Sequence, residues 1–224
     1  SYDKNKVVHF TRFANYFGGP AKIEKLDFLV VLDGSQRAKK LIDGTCDIIA
    51  SPLYEDIALL KKTPNVKVTS QPGLNIFYLA FNVTKAPFDK PEVRQAISHA
   101  LNKSSYIQAA FKGFAQVAKN PIPPIMWGFN KTIQDYDYDL VTAKNLMKQA
   151  GYAKGFTTSL SYMSESRPYN PNGLQVAQLM AADLAKIGIK LNLVTHPWAD
   201  YLNKARKHEF DILQMGWTHL NISQ

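Results

Sequence analysis

Arg167 is the residue whose type and setting best suit binding. It opens the run Arg167-Pro168-Tyr169-Asn170-Pro171-Asn172-Gly173. Its guanidinium offers a planar fork of donors that matches a carboxylate with two parallel hydrogen bonds. Pro168 and Pro171 stiffen the loop that presents it, which lowers the ordering penalty on binding. Taken alone, an arginine in a loop is ordinarily a solvated surface charge. Asp135, Asp137 and Asp139 have the one-three-five spacing of a calcium loop, but Leu140 stands where glycine is required and Leu146 where glutamate is required. The EF-hand therefore fails, and the three read as turn residues and a helix N-cap. His9, His99, His196, His208 and His219 lack the spacings of a zinc site. There is no G-x-S-x-G elbow, phosphate-binding loop or GxGxxG after a strand. The chemistry on offer is recognition, not catalysis, and no cofactor is implied.

The elements that must position Arg167 follow from periodicity. In residues 74–81 both alternating sets are apolar: Leu74, Ile76, Tyr78 and Ala80 on one side, Phe77, Leu79 and Phe81 on the other. That pattern predicts a central strand buried on both faces, entered through a Pro72-Gly73 bend. Asp89, Pro91 and Glu92 read as an N-cap, a first-turn proline and a capping box. They precede a helix whose Val93, Ile97, Ala100 and Leu101 share one face.

Upstream, the pattern predicts strands over 7–17, 26–32, 46–50 and 66–70, with helices from a Ser35 cap through Ile42 and over 53–62. Their alternation argues for an α/β layer. Downstream it predicts helices over 103–112 and 141–150, separated by a proline- and aromatic-rich segment at 120–139. There follow a strand over 157–163, a helix over 174–186 capped by Asn172, a strand over 189–194, a helix over 198–208 and a strand over 210–217.

Particular words in the chain carry a resemblance. PGLN-x-x-YLAFN, PFD-x-x-x-VRQAI, IPPIMWGFN (122–130), YDYDLVTAKNLMKQAGY (136–152), RPYNPNG (167–173) and MGWT (215–218) closely resemble the dipeptide- and oligopeptide-binding solute-binding proteins of ABC importers. FANYFGGPAKIEKLDF resembles a corner of the same family, with Phe17 where tryptophan is usual. The resemblance implies a two-lobed periplasmic binding protein fold (type II, peptide-binding class), incomplete in both lobes. Residues 1–73 would be part of the first lobe and residues 74–224 the second, the whole being the middle portion of a longer chain. It implies a periplasmic protein that closes about a hinge on a peptide or peptide-like ligand and delivers it to an inner-membrane ABC permease.

In those relatives the arginine matching Arg167 grips the C-terminal carboxylate of the peptide. Trp217 and Thr218 become wall and hydrogen-bonding groups, and Asn75 and Tyr162 cleft-lining residues. The relatives follow MGWT with Gly-Asp-Asn, whose aspartate neutralises the ligand's ammonium; here Leu220 takes its place. An ammonium beside leucine is partly desolvated without a partner, at a cost of about 1–3 kcal/mol, so free dipeptides are poor candidates. Departure at this anchor suits the Sap-type branch, implicated in antimicrobial-peptide resistance, or a haem- or glutathione-binding relative. Cys46, the single cysteine, is read alone as a small buried side chain. The resemblance instead pairs it with a cysteine near the mature N-terminus.

Composition bounds these readings. At 46% hydrophobic and 12% aromatic the chain can fill a core, and no apolar run approaches the ~18 residues of a membrane span. SYDKNKVVHF lacks signal-peptide features, so the leader of a secreted protein would lie upstream. The net charge of +9 is spread along the chain. Residues 93–134 contain no acid but hold Arg94, Lys103, Lys112, Lys119 and Lys131 among aromatic residues. This stretch is either a solvated basic face or a contact for a polyanion such as nucleic acid, although no nucleic-acid-binding motif accompanies it.

Overall fold

The computed structural model of the chain describes residues 1–218. The chain divides into two compact units, Ser1–Thr69 and Ser70–Gln224.

The first unit contains strands β1 (Tyr2–Asp3), β2 (Val7–Thr11) and β3 (Lys25–Leu29) and helices α1 (Gly34–Ile42) and α2 (Ile57–Lys62). The strands form an antiparallel sheet in the order β1-β2-β3. His9 and Asp27 are register partners, and their side chains meet at 2.8 Å. Helix α1 is capped by Asp33, whose carboxylate accepts the Gln36 N–H at 2.7 Å, rather than by Ser35. Gly34 opens the helix because a Cβ there would lie 2.5 Å from the Leu53 side chain.

The strands expected at 46–50 and 66–70 do not form, so the expected strand–helix alternation is replaced by an antiparallel sheet and two helices. A short apolar run becomes a strand only if another backbone ladders with it. Here the Cys46 N–H is instead taken by the Lys40 carbonyl at 2.9 Å, and Ile48 is 85% exposed.

The second unit contains β4 (Asn75–Phe81), α3 (Pro91–Ala100), α4 (Lys103–Phe111), α5 (Leu140–Gln149), β5 (Phe156–Met163), α6 (Gly173–Ala185), β6 (Ile189–His196), α7 (Trp198–Arg206) and β7 (Ile212–Thr218). Its sheet has the order β4-β7-β5-β6. Strand β5 runs parallel to β6 and β7, and β4 is antiparallel to β7. The strand expected to be central, β4, is thus an edge strand among the described residues. Nor is it buried on both faces: within β4 only Ile76 is buried, and Tyr78 is 39% exposed, because apolar residues on both faces specify neither the strand's lateral neighbours nor the elements that cover it.

Helix α3 buries Val93, Ala96, Ile97 and Ala100, and Leu101 beyond it, which is the face its periodicity predicts. Burying a valine or isoleucine completely stabilises by about 1.5–3 kcal/mol. Its N-cap is Lys90, with no side-chain cap bond. The expected Asp89 cap is not used, and Pro91 supplies the preset first turn. Asp139 caps α5, accepting from the Val141 and Thr142 N–H groups. Asn172 caps α6, accepting from Gln175 N–H at 3.0 Å. Buried Asp183 joins α6 to the start of α4, accepting from the Tyr106 hydroxyl, from Asn102 N–H at 2.9 Å and from Lys186 Nζ at 2.6 Å.

Candidate functional site

The loop between β5 and α6 has a local reason for each of its residues. Arg167 and Asn170 exchange two backbone hydrogen bonds of 3.0 Å, closing a tight turn around Pro168 and Tyr169. The Asn170 side chain is 1% exposed, and its amide lies 2.9 Å from that of buried Gln214 on β7, which fixes the turn to the sheet. Asn172 starts α6. Gly173 is required by close approach, since a Cβ there would sit 2.5 Å from the Met163 carbonyl oxygen.

This turn holds Arg167 half-buried. Its guanidinium lies 3.9 Å from the centroid of the Trp198 ring, a cation–π stack. Its Nε is buried and has no hydrogen-bond partner among the described residues. A buried donor left unpaired is unfavourable. Trp198 is itself stacked on Tyr201, with centroids 6.1 Å apart and an interplanar angle of 16°. Tyr201 is fully buried and donates to the Ser161 and Gln214 carbonyls. Glu165 accepts the Trp198 N–H at 3.4 Å. Its carboxyl is held below the usual range first by its own backbone N–H, with help from the Ser164 hydroxyl, the Trp198 N–H and the charge of Arg167.

Tyr169 connects the loop to β7. Its ring fills the space that a side chain at position 216 would need, with Cδ2 2.2 Å from a Cβ built on Gly216. Its hydroxyl approaches Met163 Sδ at 3.7 Å. Burial raises the pKa of this hydroxyl, against the opposing effect of the Arg167 charge.

The other residues singled out from the sequence fall in two places. Asn75 and Thr218 are register partners across β4 and β7, and Trp217 lies one position along, opposite Ile76. Asn75 is half-buried, whereas Trp217 and Thr218 are exposed. They adjoin Gly216, and so the strand end against which the Arg167 loop packs. Tyr162 is half-buried on β5 and registers with Thr195 of β6. Leu220 lies outside the described residues. Sequence reasoning missed Trp198, Tyr169 and Glu165. The only hint of them was an aromatic residue directly after Pro197 at a helix start and an acid two residues before Arg167.

The remaining candidates are separated by their partners. Asp139 caps α5, Asp135 pairs with Lys103 at 2.6 Å, and the Asp137 carbonyl meets His99 Nδ1 at 2.8 Å. Among the described residues no cluster of histidine, cysteine and carboxylate side chains could hold a metal. Within the basic stretch, Arg94 donates to the Phe88 and Asp89 carbonyls at 2.6 and 3.2 Å, and Lys103 is committed to Asp135. Cys46 carries a free, half-buried thiol. No described helix is long and apolar enough to cross a membrane.

The second unit is thus a mixed α/β scaffold with Arg167, stacked on Trp198, in a loop that holds two prolines. The family described as bacterial extracellular solute-binding proteins, family 5 Middle, matches residues 1–222, and the chain belongs to that family. It is 41% identical over 217 residues to the dipeptide-binding protein of Escherichia coli, covering 97% of this chain and 41% of that one. It is 42% identical over 217 residues to heme-binding protein A of Haemophilus influenzae, covering 97% of this chain and 40% of that one. Among solved structures, the dipeptide binding protein from Pseudoalteromonas sp. SM9913 in complex with Met-Leu superposes with a TM-score of 0.85 at 33% identity, covering 99% of this chain and 44% of that one. The chain therefore has the periplasmic binding protein fold of this family, and it spans about two fifths of the length of the curated relatives it matches.

Proposed function

We propose that the protein is the periplasmic substrate-binding component of an ABC importer, taking a peptide or peptide-like ligand through its carboxylate at Arg167 and handing it to an inner-membrane permease. The observation that carries this reading is the Arg167 guanidinium stacked on Trp198 with a buried Nε that has no partner among the described residues. A carboxylate satisfies that donor and pairs the charge at once. Trp217, Thr218 and Asn75, gathered at one strand end, would supply an aromatic wall and polar contacts, with Tyr162 lining the same cleft from β5. Residues 1–73 would belong to the first lobe and residues 74–224 to the second.

With Leu220 in place of an acid, the ligand is one that does not depend on pairing a free ammonium group. This favours longer peptides and the Sap-type branch over free dipeptides. The similarity to a heme-binding protein supports a second reading, haem held through its propionates, because those are carboxylates too.

Titration calorimetry on the full-length protein tests the reading with Ala-Ala-Phe, its C-terminal amide, and haem. Arg167→Ala should weaken binding of the preferred carboxylate ligand by about 2–5 kcal/mol, the usual loss when one partner of a buried charge pair is truncated. Unchanged affinity would sink the assignment.

A further inference from the structure

An arginine that binds a ligand needs its fork held still without its donors being used up. A carboxylate lying directly on Arg167 would hold it, but would also compete with the ligand. None of the ion pairs among the described residues includes Arg167, although Glu165 stands close enough for its charge to be felt. What holds the guanidinium is the face of Trp198, 3.9 Å away. The donors of a guanidinium lie in its plane, so an aromatic ring against its face consumes none of them, and a carboxylate can approach them edge-on.

Trp198 is in turn fixed from three sides. Its ring is stacked on buried Tyr201, Pro197 before it enters the helix as its N-cap with its own φ preset, and Glu165 accepts its backbone N–H. That carboxylate belongs to the same loop as Arg167, two residues upstream. Loop and helix start are therefore coupled through Glu165 by backbone and through Arg167 by side chain.

We propose that Trp198 is a positioning residue for ligand recognition: a rigid aromatic platform that presents the Arg167 fork edge-on to a ligand carboxylate, with Glu165 anchoring the platform. The inference rests on the carboxylate-binding reading of Arg167 and deepens it. The selectivity for a carboxylate is then set jointly by the arginine and by an indole that does not touch the carboxylate.

The test measures, on the full-length protein, affinities for Ala-Ala-Phe and for its C-terminal amide. The wild-type protein should prefer the free acid, and Arg167→Ala should erase that preference. Trp198→Ala should weaken binding of the acid about three- to thirtyfold, the range of a cation–π contact, while leaving the amide unchanged. Trp198→Phe should recover most of the preference, and Glu165→Ala, which removes the acceptor of the Trp198 backbone N–H, should lose part of it. If Trp198→Ala does not fold, Trp198→Leu keeps apolar volume without a π face and carries the same expectation. Equal weakening of acid and amide would make Trp198 merely structural and overturn the inference, as would undiminished acid binding. A wild-type protein that binds neither probe or shows no preference, or a preference that survives Arg167→Ala, would overturn the Arg167 reading itself.

Discussion

Gly216→Ala is a one-carbon change whose effect is decided by a single ring. Gly216 is not among the residues with positive φ, so its backbone accepts alanine, and in a strand alanine is favoured over glycine by about 0.5–1 kcal/mol. The obstacle is Tyr169. A Cβ at position 216 would meet ring atoms Cδ2, Cγ and Cε2 at 2.2, 2.4 and 2.6 Å. These are the root of the ring rather than its far end, so the whole side chain has to move. Tyr169 sits in a turn closed by Arg167 and Asn170, and the movement should drag Arg167 with it.

Overpacking of this kind costs about 1–3 kcal/mol, which urea unfolding of the full-length protein would read as a lower midpoint with unchanged slope. The affinity for a carboxylate-terminated peptide should fall in the same variant. In a Tyr169→Ala background the ring is gone, and the sign should reverse: Gly216→Ala becomes neutral or stabilises by about 0.5 kcal/mol. The double-mutant cycle therefore expects a strong coupling between the two positions. Equal destabilisation in both backgrounds would refute the steric reasoning.

Two further perturbations address the scaffold. Burial alone would raise the pKa of Asp183, but hydrogen bonds from Lys186, Tyr106 and Asn102 outweigh it and hold the carboxyl below its usual range. A depressed folded-state pKa gives stability that is fully present above the ordinary carboxylate pKa of about 3.9 and is lost as pH falls through the folded value. Asp183→Asn should lower stability at neutral pH and make the loss of stability below about pH 4 less steep; an unaltered acid limb in urea titrations across that range would argue against the network. Ile97→Ala removes a side chain with 0% exposure on α3 and should cost about 2–5 kcal/mol, read as a lower urea midpoint. A cost below 1 kcal/mol would mean that this face does not form the core.

Much of the second unit was legible because its signals are local. Asp139 and Asn172 cap the helices they precede, Pro91 opens α3, and Val93, Ile97, Ala100 and Leu101 point into one core. The caps and the helix start depend on hydrogen bonds and torsions within a few residues, and the apolar face follows from the spacing of the helix's own side chains. The first unit was less legible. Residues 46–50 and 66–70 have strand-like composition, and strand formation needs a lateral partner that composition does not contain. Asp33 rather than Ser35 caps α1: both are good caps, and residue type alone does not choose between them.

The sequence by itself determined that this is an α/β member of a solute-binding family and singled out Arg167 as a candidate for carboxylate recognition. Residue type and motif spacing carry that much, because a guanidinium's donors and a proline's fixed torsion belong to the residue wherever it lies. Tertiary structure decided the rest. It put β4 at the sheet edge beside β7, Tyr169 in the space left by Gly216, and Trp198 under the Arg167 guanidinium, with Glu165 holding the backbone beneath. Those contacts join segments far apart along the chain. Whether they form depends on which elements pack together, and no local pattern encodes that.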